Sequence, residues 1–402
     1  MSNTRVLVFG SWDRGDGYPR ATALLDGLRQ MGAEVTECYA EVPYSGSEKR
    51  RLLRSPWLWP SYWWSMRKIR KQALRQLQQA IAMQVPDLVL VPYPGHFAVH
   101  WAKKVWSGPI VLDLFLSAYD TAVVDRKLFR PGSMMAGLLR HLDRRAAQAA
   151  HGVLLDTVQN ADYAARLTGL PRAKFHVVPV SDPGEPPIPL SYRRPVAGRD
   201  LEVLFFGTGV PLHGLSYLLD AVACCERVQL TLVGGSQEDR QRAAAMPASK
   251  VKLLDPFVPT SELRDLMTRA HLVAGVFGRS EKTARVIPFK VMMALAIGRP
   301  VITGRTPAIS TLLTDGVECV TAPVGDGPAL GRVLQSLADD PSHLALFATA
   351  AREAYEREFS LQRVGQRMLS VCHEVCGHIE DYQPEMPLPT IENTEVLTGS
   401  VG

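Results

Sequence analysis

Residues 201–214, LEVLFFGTGVPLHG, join an apolar run to a glycine-rich turn. The run LEVLFF has the continuous apolar character of a parallel strand that is buried on both faces. The turn follows at once, and we expect a helix to begin near Leu215. A strand that passes directly into a helix is the repeating unit of a doubly wound sheet, so this stretch predicts an α/β domain.

The same alternation recurs on both sides of this stretch. Between the apolar runs of the first half lie segments with helical spacing, such as 20–31 and 66–83. Two doubly wound domains are therefore predicted. The expected strands are 5–10, 33–38, 87–92, 109–114, 152–156 and 174–178 in the first half, and 201–206, 228–233, 251–254, 272–276, 300–303 and 318–321 in the second.

A proline-rich stretch, DPGEPPIPLSYRRPVAGR at 182–199, separates the two halves. Proline lacks the N–H that a central strand or a helix interior needs, so the stretch is expected to be a linker. The resulting boundaries are a first domain at 1–182, a linker at 183–199, a second domain at 200–358, a helix at 359–380 that could pack back on the first domain, and a flexible tail at 381–402.

The composition is that of a globular protein, with 46% hydrophobic residues and a formal net charge of +5 over 402 residues. Six cysteines are scattered along the chain, which is typical of reduced cytosolic proteins. We find no signal-peptide pattern and no run of about 18 apolar residues, so we expect a cytoplasmic protein without a membrane span. The segment CHEVCGH at 372–378 could hold a metal or form a helix face with neighbouring thiols.

A cationic segment in the second half, GRSEKTARVIPFK at 278–290, suggests an anion site. Pro288 suits the first turn of a helix, which places Lys290 near the helix N-terminus. A lysine there opposes the helix dipole unless an anion lies nearby. Lys282 and Arg285 add positive charge, although a solvated basic loop is the alternative.

The glycines of the turn at 207–214 would let the backbone approach a phosphate, with the N–H groups of the next helix as donors. A glycine-rich turn without a ligand is the alternative. The segment IPFKVMMALAIGRPVI at 287–302 resembles the donor-site segment of retaining glycosyltransferases of family 4. Residues 211–214 resemble their glycine-rich loop, in which a lysine often stands at the position of His213.

This resemblance covers about residues 201–340 and implies the GT-B fold, in which two Rossmann-like domains face each other across a cleft. It implies a nucleoside-diphosphate sugar as donor and transfer with retention to an acceptor hydroxyl. Cations would neutralise the diphosphate, so we expect neither a metal nor another cofactor. The donor-binding residues that it implies are Gly207, Thr208, Gly209, His213, Gly214, Glu281, Lys282, Arg285 and Lys290.

One departure from the family pattern concerns the donor ribose. The family commonly has two glutamates eight residues apart, and the corresponding residues here are Arg285 and Met293. A methionine cannot accept the hydrogen bonds that the second glutamate makes with the ribose hydroxyls. Glu281 is the nearest acidic substitute.

Candidate acceptor-side residues follow strands of the first half. The loop GSWDRGDGYPR at 10–20 faces the cleft in GT-B enzymes, so Gly17 and Arg20 are expected ligand contacts, unless the loop is only a turn. Asp113, Asp120 and His96 follow strands and are candidate catalytic groups. A cap or a loop hydrogen bond is the alternative for each, and Phe115 stands where many family members have a histidine.

Residues 48–75 combine nine Lys/Arg and one Glu with four tryptophans. Tryptophan suits the membrane interface, and cations are attracted to anionic lipid, so residues 49–75 are expected to contact a membrane peripherally. The tryptophans could instead fill the core of the first domain, with the cations on a solvated helix face. A basic-aromatic segment could also bind nucleic acid.

We therefore expect a metal-independent glycosyltransferase that uses a nucleotide sugar and acts in the cytoplasm, with the inner face of the membrane as a further possibility. Its acceptor would be a glycan precursor or a lipid-linked intermediate. Two alternatives remain open: a sugar-nucleotide epimerase of the same fold, and a non-catalytic GT-B module that recruits a partner.

Overall fold

The computed structural model describes residues 4–14, 19–40, 59–184, 186, 191–196 and 198–377, with backbone only for 59–63, 65 and 66. Gly17, residues 41–58 and residues 378–402 lie outside this part. Residues 48–58 are the first part of the basic tryptophan-rich segment, 48–75. None of the described helices is long and apolar enough to cross a membrane.

A six-stranded parallel sheet forms the first domain, with the strand order β2-β1-β3-β4-β5-β6. Its strands alternate between two buried faces, because Leu7 and Phe9 point to one core and Val6 and Val8 to the other. The strands are β1 Arg5–Gly10, β2 Glu34–Tyr39, β3 Leu88–Val91, β4 Ile110–Asp113, β5 Gly152–Leu155 and β6 Phe175–Val177.

Helices cover both faces of this sheet. One face carries four helices that pack through small and aliphatic side chains such as Ala73, Val99, Ala146 and Ala161. These helices are α2 Trp59–Met83, α3 Ala98–Ala102, α4 Met134–Ala149 and α5 Val158–Thr168. The other face carries α1 Arg20–Gln30. Helix α2 begins seven residues earlier than the sequence predicts, because Pro60 lies in its first turn, where proline is tolerated.

The second domain has another six-stranded parallel sheet, with the order β12-β11-β10-β7-β8-β9. Counted from its own first strand, this order is 3-2-1-4-5-6, the arrangement of dinucleotide-binding domains. The strands are β7 Leu201–Gly207, β8 Val228–Gly234, β9 Val251–Leu253, β10 Leu272–Ala274, β11 Val301–Gly304 and β12 Val320–Ala322. The helices are α6 Leu215–Cys224, α7 Gln237–Ala244, α8 Thr260–Arg269, α9 Phe289–Ala296, α10 Pro307–Leu312, α11 Gly327–Asp339 and α12 Leu344–Glu358.

The last described helix, α13 Leu361–Gly377, returns to the first domain and packs on α1. The two helices cross at a pair of glycines, and a Cβ atom on Gly27 would lie 2.8 Å from the amide nitrogen of Gly365. Val364 and Met368 of this helix complete the second core of the first domain. The chain therefore passes between the domains twice.

Each sheet has one point at which the strand order reverses, between β1 and β3 in the first and between β7 and β10 in the second. Ligands of such sheets bind outside the carboxyl ends of the strands at these points. In the second domain the loops concerned are 207–214 and 275–288, which include the two segments that the sequence singles out.

Candidate functional site

The turn after β7 uses three glycines with positive φ: Gly207 at +148°, Gly209 at +70° and Gly214 at +59°. A Cβ atom on Gly209 would collide with the backbone of Ser236, and one on Gly214 with the backbone of Gly278. Close packing against neighbouring loops therefore explains both of these glycines. Gly207 differs, because a Cβ atom there would lie 3.0 Å from Nζ of Lys290 and 2.6 Å from Cε1 of His213.

Lys290 is the second residue of α9 and is only 5% exposed. Its Nζ has no hydrogen-bond partner in the described part of the chain and lies 3.7 Å from the centroid of the Phe205 ring. Burial lowers the pKa of this amine well below its usual value. A buried amine without a partner is costly, so its retention at the carboxyl edge of the sheet indicates a site for an anion.

His213 lies beside this amine and is also buried. Its Nδ1 has no hydrogen-bond partner among the described residues, and its ring meets Phe205 edge-on with a centroid distance of 5.7 Å. Burial, followed by the charge of Lys290, lowers the pKa of His213 to about 2. The imidazole is therefore neutral near pH 7, and a tautomer with the proton on Nδ1 could donate a hydrogen bond to a ligand oxygen.

Arg285 and Lys282, both predicted to bind the donor, contact the first domain in this structure. Arg285 Nη2 donates to Asp120 Oδ1 at 2.6 Å, and Lys282 Nζ lies 3.6 Å from carboxylate oxygens of both Asp120 and Asp125. These four residues, which we call the interdomain ion cluster, are each at most 7% exposed. Thr157 Oγ1 adds a bond of 2.5 Å to the carbonyl oxygen of Arg285.

The interdomain ion cluster thus contains one predicted catalytic residue, Asp120, and two predicted donor contacts. In this structure their charges hold the domains together, and their roles toward a ligand stay predictions. The two remaining donor-site predictions, Thr208 and Glu281, have exposed side chains. Glu281 lines the interdomain cavity described below.

Arg20 and Asp113 form a second buried ion pair within the first domain. Arg20 Nε donates to both carboxylate oxygens of Asp113, at 2.8 and 2.9 Å, and its Nη1 donates to the carbonyl oxygen of Val178 at 2.9 Å. Burial raises the pKa of Asp113. Because both residues lie below the protein surface in this structure, the ligand contact predicted for Arg20 and the catalytic role predicted for Asp113 stay untested.

His96 also has a buried hydrogen-bond partner. Its Nε2 lies 2.9 Å from Oδ1 of Asp143, and this carboxylate also accepts bonds from Ser117 Oγ at 2.7 Å and from the amides of Ala118 and Tyr119. Asp143 therefore holds the loop between β4 and Asp120. Sequence reasoning missed this residue, although an isolated acid in the basic stretch RHLDRR at 140–145 is a signal that could have revealed it.

A cavity of about 1090 Å³ lies between the domains beside the glycine turn, which reaches it through Pro211 and Gly214. Aromatic rings of Tyr163 and Tyr217 line it from the two sides. Its lining carries more cations than acids. The cations are Lys127, Arg130, Arg140, Arg166 and Arg279, and the acids are Asp125 and Glu281.

The described part of the basic tryptophan-rich segment, residues 59–75, forms the N-terminal part of α2. Trp64 is 73% exposed there, so it does not fill the core, and Arg67, Lys68 and Lys71 are also exposed. The described residues contain no cluster of three or more His, Cys, Asp or Glu side chains that could hold a metal ion. Cys372 is buried in α13, and His378 lies outside the described residues.

Residues 200–340 match the family model described as "Glycosyl transferases group 1". Among curated proteins, the amylovoran biosynthesis glycosyltransferase AmsK of Erwinia amylovora is 27% identical over 169 residues, which is 41% of this chain and 40% of that protein. Over residues 200–340 the chain is thus similar to glycosyltransferases of this family. The match therefore spans less than half the length of that curated relative.

Solved structures extend the likeness to both domains of the chain. The sucrose-phosphate synthase of Thermosynechococcus elongatus aligns over 94% of this chain and all of its own, with 14% identity and a TM-score of 0.66. Anabaena Alr3699/HepE in complex with UDP covers 92% and 100%, with 15% identity and a TM-score of 0.63. The lipopolysaccharide outer core galactosyltransferase WaaB covers 92% and 99%, with 11% identity and a TM-score of 0.60. The predicted GT-B fold is confirmed.

The family match and the candidate anion site coincide in the sequence. Gly207, His213 and Lys290 all lie inside residues 200–340. The N-terminal candidates Arg20, Asp113 and His96 lie outside the matched region.

Proposed function

We propose that this protein transfers a sugar from a nucleoside-diphosphate sugar to an acceptor hydroxyl with retention of configuration. The observation that carries the proposal is the pair of buried nitrogens without partners, Lys290 Nζ and His213 Nδ1, around the bare Cα of Gly207. A diphosphate would supply the oxygens that both nitrogens lack.

The charge balance of this pair favours a diphosphate over a neutral ligand. The pKa of Lys290 is lowered because burial removes water from the charged amine. A nearby anion would restore the charged form. Developing negative charge on a leaving diphosphate would be stabilised in the same way during transfer, in a site that excludes water. Lys290 is therefore the group that neutralises the leaving diphosphate in this mechanism. The transfer then needs no metal or other cofactor.

The ribose must be held by groups other than the family's glutamate pair. Met293 is 3% exposed and belongs to the apolar core beneath β10 and β11, so it cannot contact a ribose. Arg285 is engaged with Asp120. We propose that the exposed Glu281, at the edge of the interdomain cavity, serves the donor instead.

The acceptor that we propose is a glycan precursor or a lipid-linked intermediate. HepE has been solved with UDP and with UDP-glucose, and the name of AmsK assigns it to amylovoran biosynthesis, which supports a nucleotide sugar and a glycan acceptor. The interdomain cavity has the size for a sugar-containing ligand. Peripheral membrane contact through residues 49–75 remains part of this proposal, supported by the exposure of Trp64.

The test is a screen of nucleotide sugars by thermal shift and by hydrolysis, with wild type, Lys290→Ala and the control Lys252→Ala, in which an exposed lysine of β9 is removed. We expect one nucleotide sugar to stabilise the wild type and the control but not Lys290→Ala. If no nucleotide sugar stabilises the wild type, or if Lys290→Ala responds equally, the donor site is wrong. Conversion of the nucleotide sugar into its epimer without any acceptor would indicate the epimerase. The anomeric configuration of the transfer product would decide retention.

One observation favours the non-catalytic GT-B module as a second candidate. The arginine at position 285 pairs with Asp120, a candidate catalytic group, and so joins the domains at the place where family members carry an acid. A protein that binds nucleotide yet neither hydrolyses nor transfers the sugar would support this candidate.

A further inference from the structure

The first domain carries an unusual exposed segment at residues 126–140, RKLFRPGSMMAGLLR, which we call the basic apolar rim. It joins the Asp120–Asp125 turn to α4 and forms the first two turns of that helix. It contains four cations and no acid. Its large apolar side chains point into solvent, with Met134 90% exposed. The others are Leu128, Phe129, Met135 and Leu138.

The position of the rim follows from the winding of the sheet. Each helix of a parallel sheet begins at the carboxyl edge of the preceding strand, so the N-terminal ends of α2, α3 and α4 share one edge of the domain. Helices α2, α3 and α4 also lie side by side, since each contacts the next. Trp64 near the start of α2 and Phe97 directly before α3 are 73% and 60% exposed. Exposed apolar groups thus continue from the rim across the neighbouring helix ends.

The apolar and cationic side chains of the rim indicate the kind of partner that it binds. Neighbouring exposed apolar side chains mark an interaction site, and the four cations of a segment that contains no acid complement a negatively charged surface. Exposed apolar side chains flanked by cations are the kind of residues that enter the headgroup region of a bilayer. We propose that the basic apolar rim docks the protein on an anionic lipid surface.

This docking would orient the cleft toward the bilayer. Phe129, Arg130 and Arg140 belong to the rim and also line the interdomain cavity. A protein resting on the rim would therefore present the cavity mouth to the lipid headgroups. The docking itself stands without any assumption about sugar transfer, whereas its use to admit a lipid-linked acceptor rests on the proposed function.

The test is flotation of the full chain with vesicles of phosphatidylcholine alone and of phosphatidylcholine mixed with phosphatidylglycerol, without any nucleotide sugar. We expect binding only to the anionic vesicles and its loss near roughly 0.5 M salt, where charges are screened within a few ångströms. The combined variant Arg126→Gln/Lys127→Gln/Arg130→Gln should lower the partition coefficient about a hundredfold, since each cation contributes about 1 kcal/mol.

A second variant tests the apolar part without changing charge. Leu128→Ser/Met134→Ser should lower binding at least tenfold, because both exposed side chains would lose their contact with the acyl boundary. The matched control Lys252→Gln/Arg269→Gln/Arg332→Gln removes the same charge from exposed positions of the second domain and should bind as wild type does.

Three results would overturn the proposal. The wild type could fail to float with anionic vesicles, or the rim variants could bind as tightly as the control. Alternatively, neutralising Lys68, Arg70 and Lys71 of α2 could abolish binding while the rim variants retain it, which would assign docking to α2 alone. A nucleotide that stabilises a protein unable to float would leave the donor site intact and refute only the docking.

Discussion

Replacing Lys290 by methionine should have opposite effects on the empty and the nucleotide-bound protein. The substitution keeps the length of the side chain and removes the amine. At neutral pH the empty protein carries a buried amine whose folded pKa lies below its unfolded value of 10.5. The stability that such a group contributes is complete only above the unfolded pKa and is lost as the pH falls. Removing it should therefore stabilise the empty protein near pH 7.

The size of the expected change in unfolding free energy follows from the contacts of Lys290 Nζ. A buried donor without a partner costs about 1–3 kcal/mol, and the contact of Nζ with the face of Phe205, at 3.7 Å from the ring centroid, offsets part of this cost. We expect Lys290→Met to raise the free energy of unfolding by about 1 kcal/mol. A hydrogen bond to a charged group contributes about 1.5–3 kcal/mol, so affinity for a nucleoside diphosphate should fall roughly 10- to 150-fold.

The assay combines urea unfolding of the empty protein with calorimetric titration of UDP, GDP and ADP. Lys252→Met, on the exposed side of β9, is the control and should change neither quantity. Destabilisation of the empty protein by Lys290→Met together with unchanged nucleotide affinity would refute the reasoning. Lys290 would then be a structural lysine whose amine serves the packing around Phe205.

Further predictions concern pH, the interdomain contact and the helix crossing. His213 has a pKa of about 2 in the folded protein against about 6.5 when unfolded, so its contribution to stability is present above pH 6.5 and is lost as the pH falls. Between pH 7 and pH 5 the wild type should lose about 2 kcal/mol more unfolding free energy than His213→Gln, and equal losses would contradict the assignment. Arg285→Ala should cost about 3–5 kcal/mol, because it leaves Asp120 buried with only the more distant cation of Lys282. A double-mutant cycle with Asp120→Ala should give a coupling energy above about 1 kcal/mol, and additive effects would show that the contact contributes little. Gly365→Ala should cost about 1–3 kcal/mol through overpacking, whereas Gly137→Ala on α4, where a Cβ atom meets nothing within 4 Å, should be neutral or stabilising.

The sequence could predict the fold and could single out the candidate anion site, because both depend on local patterns. Buried parallel strands are apolar runs in the sequence. Lys290 can be recognised because a lysine near a helix N-terminus interacts unfavourably with the helix dipole. His213 was predicted to bind the donor because of its position in the glycine-rich turn. The structure adds that the His213 ring and the amine of Lys290 both contact the ring of Phe205, which no sequence spacing records.

The contacts that the sequence could not predict join residues far apart in the chain. Asp120 and Arg285 are 165 positions apart, and nothing in either segment indicates that their charges meet across the domains. His96 and Asp143 are separated in the same way, so a plausible catalytic histidine proves to have a buried partner. Gly209 and Gly214 looked like phosphate-binding glycines, yet the nearby backbone of other loops already requires them.

The return of α13 to the first domain has a consequence for biosynthesis. Leu24 and Leu28 of α1 are among the first core residues to leave the ribosome, yet they pack against Val364 and Met368, which are translated more than 330 residues later. The first domain therefore begins to form early but cannot close its second core until the other domain has been made. Throughout that interval one apolar side of a nearly complete sheet remains open to water, and a nascent chain in this state is a natural client for a chaperone.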